Sequence, residues 1–384
     1  MNILEEIQNC PVEWKELGEV CEIVRGVRIT KKELLEEGYP VVSGGTSFMG
    51  YTDEYNREKN TITIAQYGTA GYVNWQTEKF WANDVCFSVY PKESILNKYL
   101  YYFLKNKQDC LYEISNRTAV PYSISKEKIL RIKIPILPLE IQEKIVQILD
   151  KFTDYVTELT SELTSRKKQY SFYRDKLLSF EDEVYQVEWK KLNECLKKGK
   201  GTKITASQMK LLHKDGAPIR IFAGGKTYAD VNYGDIPDKD IHTEEAIVVK
   251  SRGIIDFEYC TEPFSFKNEF WSYSSDNENI NLRYIYHYLV HNKEHFQNIA
   301  NNMQMPQISS NDTEKFKIPV PSLEIQSRIV QVLDNFDMVC NDLNIGLPKE
   351  IELRQKQYEF FREKLLTFTA EGVYTDSTVQ TRPH

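Results

Sequence analysis

The chain has 384 residues, of which 41% are hydrophobic and 27% are charged, a size and composition typical of more than one globular domain. Its formal net charge of −7 excludes a uniformly basic surface, so any contact with DNA requires local basic patches. The N-terminal segment lacks a basic region followed by an apolar run, and no stretch approaches the ~18 to 20 apolar residues of a membrane span. These features predict a cytoplasmic protein without membrane association.

The cysteines are scattered along the chain without a C-x-x-C pair and without a histidine at metal-ligand spacing. This distribution favours reduced structural thiols over disulfides, a metal site or a redox site. In chain order they are Cys10, Cys21, Cys86, Cys110, Cys195, Cys260 and Cys340.

The pattern of residues 1–138 predicts an α/β domain in which short apolar strands end at glycine or asparagine turns. Tyr99 and Tyr102 lie in a tyrosine-rich segment with helical periodicity, which favours a place in the core over stacking on a base. The pair Gly44-Gly45 follows an apolar strand and favours a simple turn. Close approach of its backbone to a phosphate is the alternative.

Residues 139–180 form the segment around which the chain is organised. Ile141, Ile145, Ile148 and Phe152 recur at steps of four and three, which indicates a coiled-coil seam rather than a strand. No Pro or Gly follows Pro138 in this segment, so we predict one helix of about forty residues, extending over roughly 60 Å. A helix of this length needs a partner.

Residues 181–322 repeat the frame of the first domain with different polar residues in the loops. A second glycine pair occurs at Gly224-Gly225, a second apolar strand ends at Gly253, and a second tyrosine-rich helix covers residues 283–289. We therefore expect one scaffold that is built twice and presents different loops each time.

Residues 323–368 repeat the long helix, which predicts that the two copies pack against each other antiparallel. LEIQ at 139–142 returns at 323–326, but the sequence that ends the first copy returns with four additional residues before it. Gly346 and Pro348 lie in this insertion and predict a kink or an interruption of the second helix. The tail, residues 369–384, has no periodicity, and we expect it to be loosely ordered.

The alternation of domains and long helices resembles the specificity subunits of type I restriction-modification systems. Pro135 to Gln142, PILPLEIQ, closely matches the P-x-x-P-L-E-I-Q start of the long helices in that family. Pro319 to Gln326, PVPSLEIQ, shifts the second proline by one position. Architecture, duplication and motif agree from Val12 to Phe368.

The resemblance implies an α/β fold with two target recognition domains alternating with two long helices that pair as an antiparallel coiled coil. Each domain would read one half of a bipartite, asymmetric site on double-stranded DNA, while the helices set the spacer and bind two modification subunits. The chain itself would be no enzyme and would hold no cofactor: S-adenosylmethionine belongs to the modification subunits, and ATP and Mg belong to the restriction subunits. The implied segments are residues 1–138, 139–180, 181–322, 323–368 and 369–384.

The first long helix contains a tandem tetrapeptide, TELT at 157–160 followed by SELT at 161–164, of the kind that some family members carry at this place. Four residues turn a helix by a net ~40° and lengthen it by ~6 Å, and one base pair turns DNA by roughly 35°. The repeat is therefore a candidate ruler for the DNA spacer. The alternative is an exposed polar turn whose leucines lie in the seam.

Candidate DNA contacts are basic side chains suited to phosphates and polar loop side chains suited to base edges. In the first domain the phosphate candidates are Arg25, Arg28, Lys31 and Lys32, and the base candidates are Gln66, Tyr67, Asn116, Arg117 and Thr118. In the second domain the phosphate candidates are Lys197, Lys198, Lys200 and Lys203, and the base candidates are Ser251, Arg252, Asn302, Gln304 and Gln307.

The sequence argues against catalysis by this chain. It has no Pro-Pro pair of the kind needed in an adenine methyltransferase loop, and Val248 stands where a metal-dependent nuclease would place a carboxylate before Lys250. His287, His291 and His295 recur at helical spacing, which favours a polar helix face over a zinc site.

Two other functions stay open at this stage. One is a coiled-coil adaptor that joins two protein-binding domains without binding DNA, and the other is a specificity subunit of a related system that cuts on both sides of its site. DNA binding that weakens steeply with salt distinguishes a DNA-binding subunit from an adaptor.

Overall fold

The computed structural model describes residues 3–118, 120–180, 187–301 and 306–367. The chain divides into two compact units, one of Met1–Thr160 with Ile351–His384 and the other of Ser161–Glu350. Each unit contains one α/β domain together with segments of the long helices. Within the described ranges, no helix is both long enough and apolar enough to cross a membrane.

The first domain is built from short strands. They are β1 (Glu13–Glu16), β2 (Cys21–Arg25), β3 (Tyr39–Val42), β4 (Tyr51–Thr52), β5 (Thr61–Ala65), β6 (Val73–Gln76), β7 (Trp81–Ala82), β8 (Cys86–Pro91) and β9 (Lys133–Ile136). They form a four-stranded sheet of order β2-β8-β5-β6, a three-stranded sheet of order β4-β3-β7 and the pair β1-β9. β3 and β7 are parallel and the other pairs are antiparallel. Every residue of β5, TITIA, is buried, as its β-branched composition favours.

Short helices cover these sheets. They are α1 (Ile3–Asn9), α2 (Leu17–Val20), α3 (Asn97–Asn106), α4 (Gln108–Ile114) and α5 (Lys126–Leu130). α3 is the predicted tyrosine-rich helix, and Tyr99 and Tyr102 are buried in the core, which confirms the prediction. A further helix, α4, follows α3 almost directly.

The first long helix, α6 (Leu139–Ser179), is continuous over 41 residues, which confirms the prediction from the seam. Its residues up to Thr160 belong to the first unit, and those from Ser161 belong to the second.

The second domain has the same sheet topology as the first. Its strands are β10 (Glu188–Lys191), β11 (Lys197–Lys200), β12 (Ile219–Phe222), β13 (Tyr228–Val231), β14 (Ala246–Lys250), β15 (Asp256–Cys260), β16 (Phe264–Phe266), β17 (Trp271–Ser274) and β18 (Lys317–Val320). Their orders are β11-β17-β14-β15, β13-β12-β16 and β10-β18, and β12 and β16 form the parallel pair. The helices are α7 (Leu192–Cys195), α8 (Ala206–Leu212), α9 (Leu282–His291), α10 (Lys293–Ala300) and α11 (Ser310–Glu314). This agreement confirms that one scaffold is built twice.

The second long helix is interrupted between α12 (Leu323–Asn341) and α13 (Leu347–Leu366), as Gly346 and Pro348 predict. Asp342 Oδ1 accepts the main-chain N–H of Asn344 at 2.6 Å and so closes the turn. A Cβ atom at position 346 would lie 2.4 Å from Met338 O, so this close approach requires glycine.

The long helices pack antiparallel within each unit. In the first unit the ring centroids of Phe152 and Phe361 are 5.2 Å apart, and the Arg354 guanidinium lies 5.1 Å from the centroid of the Tyr155 ring. Residue numbers on α6 and α13 therefore run in opposite directions. In the second unit, Tyr170 of α6 stacks on Phe336 of α12 with centroids 5.7 Å apart.

A buried glutamine attaches each domain to its long helix. Gln142 Oε1 accepts the N–H of Leu96 at 2.8 Å, and its Nε2 donates to Leu137 O at 2.8 Å and Ser94 O at 3.1 Å. Gln326 makes the same three bonds in the second unit, to Asn281 N, Pro321 O and Asn279 O. The glutamine of each LEIQ motif thus has a structural role, since it bonds the long helix to main-chain atoms of its domain.

A carboxylate on each long helix makes a second attachment. Asp150 accepts a hydrogen bond from the Tyr102 hydroxyl and lies 3.5 Å from Lys98 Nζ. At the matching place in the second unit, Asp334 Oδ1 lies 2.9 Å from Arg283 Nε and 2.7 Å from His287 Nε2.

Candidate nucleic-acid interface

In the first domain, β2 and β5 end at the same edge of the four-stranded sheet, beside the start of β8. Gly26 N donates to Cys86 O at 2.9 Å, and Gln66 N donates to Val85 O at 2.8 Å. The segment after Arg25 and the segment at Gln66 and Tyr67 therefore lie on either side of the start of β8, at the same edge of the sheet.

The loop that contains Asn116 joins the same edge. Ile124 N donates to Gln66 O at 2.9 Å and Gly68 N donates to Tyr122 O at 3.1 Å, while Asn116 and Ser123 form a two-bond bridge. We call this edge, made of residues 26–33, 43–49, 66–69, 83–86 and the described part of 116–124, the loop end of the first domain. It brings together the predicted base contacts and the phosphate contacts Arg28, Lys31 and Lys32, and Arg25 ends β2 directly before it.

The base candidates at this loop end differ in exposure. Asn116, Arg117 and Thr118 are exposed, and Asn116 Oδ1 accepts the Thr118 N–H at 3.0 Å, which holds the loop in a tight turn. Tyr67 is half-buried. Gln66 is also half-buried, and its Oε1 is buried without a hydrogen-bond partner among the described residues.

The phosphate candidates of the first domain form one exposed segment. Arg25 Nε donates to Asp84 O at 2.5 Å, and Arg28, Lys31 and Lys32 are exposed. The segment ends at Glu33, whose carboxylate accepts the Thr30 hydroxyl and the Thr30 N–H. These two bonds hold the pKa of Glu33 below its usual range.

The second domain builds an equivalent loop end with other residues. Gly253 N donates to Pro306 O at 2.8 Å, Ile308 N donates to Ser251 O at 3.0 Å, and Arg252 forms a bridge with Gln307. These contacts match those of Gly68, Ile124 and Tyr67 in the first domain. Exposed Arg252 and half-buried Gln307 occupy this junction. Asn302 and Gln304, also predicted as base contacts, lie outside the described residues.

Ser251 does not fit the predicted role of a base contact. Its side chain is 2% exposed, and its hydroxyl donates to Glu269 O at 2.8 Å, so it supports the loop from beneath. Burial would raise the pKa of nearby Glu269, but Lys267 Nζ at 2.6 Å, a main-chain hydrogen bond and the charge of Arg252 together lower it.

The basic set at β11 divides in two. Lys200, at the end of the strand, and Lys203, beyond it, are exposed at the loop end. Lys197 begins the strand, at the opposite edge, and forms an ion pair with Asp276. Lys198 lies 2.5 Å from Glu314 Oε1 and 3.0 Å from Ser310 Oγ. Of the four predicted lysines, the structure thus brings Lys200 and Lys203 to the loop end, because this strand carries its first residues away from the loops. Phosphate binding by these lysines stays a prediction.

The two glycine pairs also differ. A Cβ atom at Gly44 would lie 2.2 Å from Tyr67 O, so Gly44 is required by packing within its own loop end. Gly224 and Gly225 face open space, and Gly225 has a φ of +63°, which favours glycine.

Sequence reasoning missed the supporting role of Lys250. The residue is 4% exposed, and its Nζ lies 2.5 Å from Glu258 Oε1 and donates to Gly225 O at 3.0 Å. It therefore joins the end of β14 to the Gly224-Gly225 turn. A lysine at the end of an otherwise apolar strand was the available signal.

The predicted polar helix face of three histidines was wrong for His287, which is 3% exposed. His287, Asp334 and Asp337 each offer an atom within 4.8 Å of the others, a spacing that a metal ion could use. Arg283 already contacts Asp334, and a guanidinium at 2.9 Å opposes a second cation there. Burial lowers the pKa of His287, which outweighs the opposite effect of Asp334.

Comparison with known proteins agrees with this architecture. A family model described as "Type I restriction modification DNA specificity domain" matches residues 11–166 and 186–353. The EcoR124I/EcoR124II type I restriction enzyme specificity subunit of Escherichia coli is 33% identical over 398 residues, covering 96% of this chain and 97% of that protein.

Solved structures share the fold at low sequence identity. The S subunit of a type I restriction-modification system from M. genitalium superimposes with a TM-score of 0.71 at 19% identity, covering 94% of this chain and 97% of that chain. A chain from a structure that addresses complex assembly and conformational transition of the type I R-M system gives a TM-score of 0.53 at 15% identity, covering 93% and 98%.

Proposed function

The chain belongs to the family of type I restriction-modification DNA specificity subunits, and from that premise we propose that each of its two loop ends reads one half of a bipartite, asymmetric DNA site. Specificity subunits are not themselves enzymes, so this chain selects the DNA on which its partners act. The observation that carries the proposal is the duplicated loop end, in which the same main-chain hydrogen bonds present different side chains.

The chemistry of each loop end suits this role. Arg25, Arg28, Lys31 and Lys32 in one domain, and Lys200 and Lys203 in the other, supply cations for phosphates and so position the domain on the duplex. Asn116, Arg117 and Arg252 are exposed donors at the same loop ends, and asparagine and arginine are suited to adenine and guanine edges in the major groove.

The long helices perform the second part of the proposed function. We infer that they set the unread spacer between the half-sites and bind two modification subunits, which supply S-adenosylmethionine and the methyltransferase site. Restriction subunits, which use ATP and Mg, would join the same complex. A protein that reads chromosomal DNA in this way works in the cytoplasm.

The tandem tetrapeptide at residues 157–164 lies within α6, and this placement supports its interpretation as a spacer ruler. Deleting residues 157–160 is expected to shorten the spacer and leave both half-sites unchanged. Methylated sites whose half-site letters change, with an unchanged spacer, would contradict the ruler.

The proposed function is tested by sequencing methyladenine in genomic DNA from cells that carry the modification subunit with and without this chain. A split motif, with two specified blocks around an unspecified gap, is expected only when the chain is present. If the complex assembles and no new motif appears, the adaptor function without DNA binding is favoured instead.

A further inference from the structure

The side chain of Asn83 joins three segments at the loop end of the first domain. Its Oδ1 accepts the main-chain N–H of Ile29 at 3.1 Å and that of Asp84 at 2.8 Å. Its Nδ2 lies 3.4 Å from Ser43 Oγ, and its own N–H donates to Val42 O at 2.9 Å. One amide therefore connects the basic segment 26–33, the loop 43–49 and the turn 83–86.

Asn83 is buried, so these bonds form away from solvent. It is 5% exposed, and Ile29, whose N–H it accepts, is 8% exposed. Removing the amide would leave a buried N–H without its partner, and the segment that contains Arg28, Lys31 and Lys32 would lose its link to the rest of the loop end.

The second domain has the same main-chain hydrogen bonds at this position, but its residue there has no side-chain amide. Lys267 occupies the equivalent position, since its N–H donates to Phe222 O at 3.0 Å and its carbonyl accepts the Phe270 N–H at 2.9 Å. Its side chain pairs with Glu269 at 2.6 Å, and among the described residues it makes no link of the kind that Asn83 makes to Ile29. In the part of the chain that the structure describes, the connection through Asn83 thus belongs to the first loop end.

We propose that Asn83 is a positioning residue for base reading by the first domain. It does not touch DNA itself; it fixes the basic segment relative to the loops that contain Gln66 and Asn116. This inference rests on the proposed function. Loss of the amide should reduce discrimination between bases more than binding to DNA in general, because the phosphate-binding side chains are still present.

The test uses the complete specificity subunit with its modification partner, and methyladenine sequencing scores the two half-sites separately. In Asn83→Ala, sites with one altered letter in one half-site should gain methylation about tenfold relative to cognate sites. The reason is that losing one base-discriminating contact lowers the affinity difference between the two kinds of site by about this factor. The other half-site should keep all its letters.

Gln142→Ala is the matched control, since it also removes a buried amide with main-chain partners from the first unit. Its partners Leu96, Ser94 and Leu137 follow the far ends of β8 and β9, so it should lower stability without relaxing either half-site. Lys267→Ala controls the matching position of the second domain and should not relax the half-site that Asn83→Ala relaxes.

Unchanged letters in both half-sites of Asn83→Ala would overturn the inference, as would equal relaxation in Gln142→Ala. If the alanine variant does not assemble, Asn83→Ser carries the same expectation, because its shorter hydroxyl does not span the distance to Ile29 N. Absence of any motif with the wild-type chain would instead overturn the proposed function.

Discussion

The two units attach their domains to the long helices at the same two positions, but only one of these positions keeps its hydrogen-bonding chemistry. Gln142 and Gln326 make identical sets of bonds to main-chain atoms. Asp150 bonds to a tyrosine and lies near a lysine, whereas Asp334 bonds to a histidine and an arginine. Main-chain N–H and C=O groups are the same in every residue, so a glutamine that bonds to them cannot be replaced together with its partners. A pair of side chains can be replaced together by another pair that also forms a hydrogen bond.

The largest effect is expected from the shared glutamines. Gln142→Ala and Gln326→Ala each leave a main-chain N–H and two carbonyls without partners, which should cost about 3 kcal/mol of unfolding free energy. Hydrogen-deuterium exchange mass spectrometry of the full chain should show similarly faster exchange at the starts of α3 and α9. Clearly unequal losses would show that the two attachments are not equivalent.

A smaller and unequal effect is expected from the carboxylates. Asp334→Asn removes a charge that faces Arg283 and should cost about 1 to 2 kcal/mol, reduced by the partial exposure of the pair. Asp150→Asn keeps an oxygen that can accept the neutral Tyr102 hydroxyl and should cost less. Urea unfolding of both variants, followed by exchange in α3 and α9, gives the comparison, and equal losses would contradict it.

Arg25 ends β2 and Lys200 ends β11, which are matching strands of the two four-stranded sheets. We expect these two residues to contribute equally to DNA binding. Arg25→Ala and Lys200→Ala are each expected to lower the slope of log affinity against log salt by about one, since one phosphate contact is lost. Lys197→Ala is the matched control and should leave the slope unchanged, because that lysine lies at the opposite edge. Fluorescence anisotropy of the assembled complex over a salt series measures all three, and an equal change in Lys197→Ala would contradict the division of the lysines.

The smallest effect is a pH dependence that arises from a buried histidine of the second unit. Burial lowers the pKa of His287 below 6.5 despite Asp334, and the charge of Arg283 acts in the same direction. On acidification, the unfolded chain therefore takes up a proton at His287 before the folded chain does. The contribution of this histidine to the free energy of unfolding is complete above pH 6.5, and it is lost as the pH falls from there through the folded pKa. Tyr102 has a raised pKa, chiefly through burial, and does not titrate in this range.

Exchange in α9 should therefore rise on acidification relative to exchange in α3, after correction for intrinsic rates. His287→Gln should reduce this difference while keeping a polar group near Asp334, and adding His291→Gln should abolish it, because burial lowers the pKa of His291 as well. A difference that is unchanged in His287→Gln would assign the pH dependence to another group.

The architecture could be predicted from the sequence because periodicity and duplication are properties of many residues together. The seam predicted a continuous α6, and Gly346 with Pro348 predicted the interruption, since both residues have strong backbone preferences. Strands that end in glycine turns place those turns at a sheet edge, and this explains why the loops with Tyr67 and Arg252 lie there, although their contact with DNA stays a prediction.

Individual side chains could not be predicted in the same way. Ser251 and His287 have polar side chains, but both lie in the interior, where particular hydrogen-bond partners from distant segments satisfy them. Lys197 and Lys200 belong to one short basic run, and only the pairing of β11 with β17 shows that they lie at opposite edges. Asn83 gave no signal, because its partner Ile29 is 54 positions away in the chain.

The junctions at Tyr67–Ser123 and Arg252–Gln307 are held by main-chain hydrogen bonds, and this has an evolutionary consequence. Any residue except proline can supply an N–H, so the framework tolerates many residue types at the exposed positions it presents. On the proposed function, new sequence preferences can therefore arise by exchanging loop residues without the scaffold being rebuilt. A combinatorial library randomised at Arg117, Thr118 and Arg252 should yield mostly folded proteins, and the diversity of such a library would be expressed in the DNA they select.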